Sequence, residues 1–61
     1  MTNAMIQFNA HRLQMAHAII EASDDEMEVS GAEFEVERRI ALLEAQGYKV
    51  FADAHDVMLM R

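Results

Sequence analysis

Sixty-one residues without cysteine carry eleven acidic against five basic side chains, a net charge of −6. The missing cysteine excludes a disulfide scaffold and Cys-based zinc, and the charge disfavours direct binding to a nucleic-acid backbone or an anionic membrane surface. A chain this short makes one domain (residues 1–61) and buries only about 60 % of its unfolded surface, so its stability is expected to lean on a second subunit.

The opening MTNAMIQFNA has neither a basic n-region nor a continuous apolar core, which argues against a signal peptide. Apolar runs such as Val57 to Met60 fall far short of the ~20 residues that cross a bilayer, and a cysteine-free chain suits the reducing cytoplasm expected here.

The first predicted element is an amphipathic helix over roughly Asn3 to Ala22. At 100° per residue Met5, Phe8, Met15, Ala16 and Ile19 share one arc, with Ile6, Leu13 and Ile20 beside it. That arc is wider than one small partner helix covers, and the excess is assigned to a subunit interface. Asn9 and Arg12 interrupt it; Arg12 either snorkels to its edge or pairs with an acid. Ala4, Ile6, Phe8 and Ala10 also alternate as a short strand would, which leaves the start open.

A break is expected near Ser23, followed by one short turn in SDDEMEV, because Asp24 and Asp25 suit the start of a helix and not its end. Ser23 and Glu26 have capping-box spacing. So do Ser30 and Glu33, flanked by Val29 and Phe34 at the hydrophobic-staple positions, and the second helix is placed to begin there. Ala32, Val36, Ile40 and Leu43 form its core stripe, and Gly47 ends it as a left-handed residue that folds Tyr48 back. A hairpin turning at Ser30-Gly31 is the rival, but it sets Glu28 opposite Glu33 and Glu26 opposite Glu35, where like charges destabilise a pair.

After Gly47, YKVFA reads as a strand, DAHD as a turn and VMLMR as a second strand, with a short helix capped by Asp53 as the alternative. A two-stranded hairpin is marginal alone and must lie on the helices, pair with an N-terminal strand or pair with its copy in a second chain. The expected fold class is therefore α+β: two helices packed on a small antiparallel C-terminal hairpin, completed by dimerisation. Phe8, Met15, Ile19, Met58, Leu59 and Met60 are the expected dimer interface.

Function-bearing chemistry concentrates between Glu21 and Glu37, where eight acids (Glu21, Asp24, Asp25, Glu26, Glu28, Glu33, Glu35 and Glu37) run without an interrupting Lys or Arg. Such a block attracts cationic partners. Asp24, Asp25, Glu26, Glu28, Glu33 and Glu37 are the expected contacts to a basic surface of another protein, against the plainer reading of a solvated face that maintains solubility. The helical stripe of Glu33, Glu37 and Glu44 holds one charge per ~6 Å or more, from the 1.5 Å rise per residue. Duplex DNA holds one per ~1.7 Å, so the stripe imitates DNA only with the loop acids or a second copy beside it.

His17 and Glu21, four apart on a helix, would share a metal, but two ligands are not a site and no metal or other cofactor is expected. The methionines read as core more readily than as an adaptable groove. Catalysis is disfavoured: there is no Cys nucleophile or Gly-rich phosphate loop, and Ser23 and Ser30 are explained as caps. So short a chain is also expected to struggle to enclose a pocket of about 300 Å³.

The run LLEAQGYKVF resembles helix-to-strand joints of α/β proteins, receiver domains among them, although the chain lacks room for their acidic pocket. In size, acidity and lack of cysteine the chain resembles phage or mobile-element inhibitors of nucleic-acid enzymes, such as anti-CRISPR and anti-restriction proteins. That resemblance is compositional and implies a non-enzymatic inhibitor; a self-associating structural or regulatory protein, working through its apolar seam, is the alternative.

Overall fold

The computed structural model describes all 61 residues, in four elements: α1 (Asn3–Ala22), α2 (Glu26–Glu44), β1 (Lys49–Ala52) and β2 (Val57–Met60). The two helices lie against each other and against a C-terminal antiparallel hairpin, an α+β arrangement. The Thr2 hydroxyl settles the start of α1 as helix, not strand, by accepting the Met5 N–H at 3.2 Å. At the other end Ser23 turns extended while its N–H still donates to the Ile19 carbonyl at 2.8 Å.

Three residues, 23–25, reverse the chain, and α2 then starts at Glu26, five residues earlier than a cap at Ser30 would place it. Its cap is Asp25, whose Oδ1 accepts the N–H groups of Met27 (2.9 Å) and Glu28 (3.4 Å). A charged acceptor at the cap, with Glu26 and Glu28 in the first turn, suits the positive end of the helix dipole. Ser30 and Glu33, sequence-matched as a capping box, lie inside the helix, and Val29 and Phe34 are no staple. Asp25→Ala is expected to cost about 1 kcal/mol in urea unfolding and Ser30→Ala close to nothing; equal losses would return the cap to Ser30.

The other end of α2 closes as expected. Gly47, at φ +90°, is a left-handed residue, and the Gly47 and Tyr48 N–H groups donate to the carbonyls of Glu44 (2.9 Å) and Leu43 (3.3 Å). This 5→2 and 6→1 pair is a Schellman motif, and it turns the chain directly into β1. The strands pair Lys49 with Met60, Val50 with Leu59, Phe51 with Met58 and Ala52 with Val57. Residues 53–56 form the turn: Asp53 Oδ1 accepts from the N–H groups of His55 (2.8 Å) and Asp56 (2.9 Å).

The core is small. Leu13 and Leu43 are fully buried, joined by Ala16, Ala32 and one polar residue, Asn9. The buried side of α1 is thus rotated by roughly 80° from the expected arc, at 100° per residue. Leu13 lies at its centre, while Met5, Phe8 and Met15 stay exposed. The cause is the two-sided packing of α1, which turns Ile6, Ala10 and Gln14 toward β2 and Ala16 toward α2.

Candidate functional site

An α-helix advances 100° per residue, so α2 distributes its acids to different sides. Glu26, Glu33, Glu37 and Glu44 fall within about 40° of one another and form one exposed stripe. Glu28 and Glu35 lie on the opposite side, facing α1, roughly 160–180° from the centre of that stripe. Asp24 is exposed in the turn before the helix, and the Asp25 carboxylate is committed to the cap. The six expected contacts are therefore not one surface: Glu26, Glu33 and Glu37 stand together, Asp24 and Asp25 adjoin their N-terminal end, and Glu28 turns away.

Glu35 is neutralised within the fold. Its Oε1 accepts from Arg12 Nε at 3.0 Å and lies 3.4 Å from Arg39 Nη2. The Arg12 hydrogen bond holds the Glu35 carboxyl below the usual carboxylate range; partial burial opposes this, and the nearby charges of Arg12 and Arg39 add to it. Arg12 thus pairs with an acid across the helix interface. Arg39 reaches further, donating from Nη1 to Asn9 Oδ1 at 2.8 Å and lying 5.6 Å from the Phe8 ring centroid. Asn9 completes the network by donating to the Met5 carbonyl at 2.9 Å. Asn9, which interrupts the apolar arc in sequence, is buried because its amide is satisfied from both helices.

No group of three or more His, Asp or Glu side chains is placed to hold a metal. In the hairpin turn, the His55 and Asp56 N–H groups hold the Asp53 carboxyl below its usual range. Shallow grooves of about 310 to 520 Å³ run between the elements. All of them are open to solvent, and none encloses a water-excluding cavity.

The six expected interface residues do not form one seam. Phe8, Met15 and Ile19 line the flank of α1 away from the hairpin. Strand alternation then splits the rest: Met58 and Met60 face outward with Phe51, whereas Leu59 turns inward and lines the groove between β2 and the Ile6, Ala10 side of α1. Leu59 is thereby withdrawn from any outer seam. The sequence reading missed Phe51, a pleat partner of Met58 that period-2 alternation identifies. It also missed the exposure of Met27 and Phe34, hidden by placing the helix start at Ser30.

No protein-family model, curated protein or solved structure is significantly similar to this chain.

Proposed function

We propose that the chain is a non-enzymatic, acidic protein-binding module whose α2 stripe occupies a basic, nucleic-acid-binding surface of another protein, as inhibitors of the anti-CRISPR and anti-restriction kind do. The carrying observation is the division of labour among the acids. Glu35 is ion-paired and Asp25 caps the helix, while Glu26, Glu33 and Glu37 share one exposed face and form no ion pair. Carboxylates left free on a rigid helix attract a cationic groove at little conformational cost. Asp24 extends the row at one end, Asp25 contributes what charge its cap leaves, and Glu28, on the opposite side of the helix, falls outside it. No helix is long and apolar enough to cross a membrane, and the cytoplasm, where nucleic-acid enzymes work, is the proposed site of action.

The test is affinity capture from source-cell lysate with a rising salt elution, followed by the Glu26→Gln, Glu33→Gln, Glu37→Gln triple variant against the captured partner. Affinity is expected to fall at least ~tenfold and the salt dependence to flatten with it. Unchanged affinity and an unchanged salt slope would sink the assignment.

A second reading, self-association, rests on a separate observation. Five of the 61 residues are buried, while ten large apolar side chains, Phe8, Met27, Phe34 and Phe51 among them, are exposed. So much uncovered apolar surface on so small a core is the pattern of a chain completed by a partner.

A further inference from the structure

Gly31 lies in the interior of α2, where glycine weakens a helix relative to alanine. Its own chain supplies no reason for it: a Cβ at Gly31 would meet nothing within 4 Å. With no side chain there, a second chain can approach the helix closely at that point. Gly31 also belongs to an outward stripe, Met27, Gly31, Phe34 and Arg38, spaced i, i+4, i+7, i+11, separate from the core-facing stripe of Ala32, Val36, Ile40 and Leu43, of which Ala32 and Leu43 are buried. Met27 is 85 % and Phe34 69 % exposed. Beside Gly31 opens a groove of about 310 Å³ whose apolar lining is Met15, Ala16, Ile19 and Ala32.

We propose that α2 pairs with α2 of a second copy, antiparallel about a two-fold axis between Gly31 and Phe34, so that each Phe34 seats over the partner's Gly31 at the mouth of that groove. A two-fold contact must be self-complementary, and this stripe is: a large knob and a vacant position stand three residues apart on one face. Charge selects the direction. The start of α2 is acidic, with Asp24, Asp25, Glu26 and Glu28, while Arg38 near the other end makes no ion pair. Antiparallel pairing sets Arg38 opposite the partner's Met27 and within reach of the partner's Glu28; parallel pairing would stack acid on acid. The exposed parts of Met15, Met27, Phe34 and Leu42 supply roughly 500 Å² per protomer before the polar rim is counted, against about 800 Å² per partner in a standard interface. The pairing does not depend on the partner-binding reading. It keeps both Glu26–Glu33–Glu37 stripes on one side of the dimer, which doubles the acidic row.

Sedimentation equilibrium of the full chain across the micromolar range tests this directly. Wild type is expected at twice the chain mass. Phe34→Ala and Gly31→Leu, each checked for retained helix by circular dichroism, are expected to raise the dissociation constant at least ~tenfold. Arg38→Glu is expected to weaken the dimer similarly, and adding Glu28→Arg to the same chain to restore it within ~threefold. Gly31→Ala guards against misfolding, since alanine strengthens the helix itself: its dimer should be weaker although its monomer is more stable. A monomeric wild type, a dimer indifferent to Phe34→Ala and Gly31→Leu, or no recovery in the charge-swapped pair each overturns the proposal, whether or not the chain captures a basic partner.

Discussion

Leu13→Ala and Leu43→Ala are each expected to leave the chain largely unfolded at room temperature. Both side chains are fully buried, and only Ala16, Ala32 and Asn9 share that status. Truncating a buried leucine costs about 2–5 kcal/mol, while a single core of this size supplies no more than about 3–5 kcal/mol in total. The loss thus consumes most or all of the stability. Urea unfolding followed by circular dichroism at fixed protein concentration measures it, and a shift below about 1 kcal/mol would show that the core lies elsewhere.

Arg39→Leu is expected to cost about 2–3 kcal/mol, because one guanidinium serves three groups. Its removal leaves the buried Asn9 Oδ1 without a donor, strips a cation from Glu35 and takes away the guanidinium beside the Phe8 ring. An orphaned buried acceptor costs more than a missing hydrogen-bonded pair, so Asn9→Leu on the Arg39→Leu background is expected to recover part of the loss. A pair of losses that simply add would show that the two side chains are not coupled.

The same cluster sets an acid dependence. The Glu35 carboxyl is held below its unfolded value by Arg12 and then Arg39, so the folded state binds its proton less readily than the unfolded chain. Its contribution is fully present above the unfolded value of 4.5 and is lost as pH falls through the lower folded value. The melting temperature should therefore drop on acidification below about pH 4.5, and Glu35→Gln should flatten that drop. Asp53, lowered by its turn N–H groups, acts with the same sign and leaves a residual slope in the variant.

Elements whose signals are local are readable from the residues. The end of α1, the Gly47 terminus and the Asp53 turn each follow from one side chain or one φ angle acting on its near neighbours, whereas the alternation of Ala4, Ile6, Phe8 and Ala10 leaves the start of α1 open until the Thr2 cap decides it. The start of α2 is different, since Ser23 with Glu26 and Ser30 with Glu33 offer the same motif twice. Asp25 prevails because its carboxylate captures two N–H groups at once, and Gly31 can stay inside the helix at only modest cost. Asn9 shows the other limit: its burial depends on Arg39, thirty residues away, and no periodicity of α1 reveals that. The acidic set divides for a related reason. Charge counted along the chain ignores the helical turn that carries Glu28 and Glu35 to one flank and Glu33 and Glu37 to another.

The succession of elements also bears on how fast the chain finds its shape. α1 packs mainly on α2, its successor, through a three-residue reversal, and β1 pairs with β2 across a four-residue turn. Most native contacts are thus made between neighbours in sequence, which keeps the entropy of loop closure low, and chains of this kind fold within microseconds to milliseconds. There is no proline to isomerise and no disulfide to form, so neither of the usual slow steps applies. A chain of this kind reaches its folded form almost as soon as synthesis releases it, while its small core leaves that form exposed to proteolysis through brief openings.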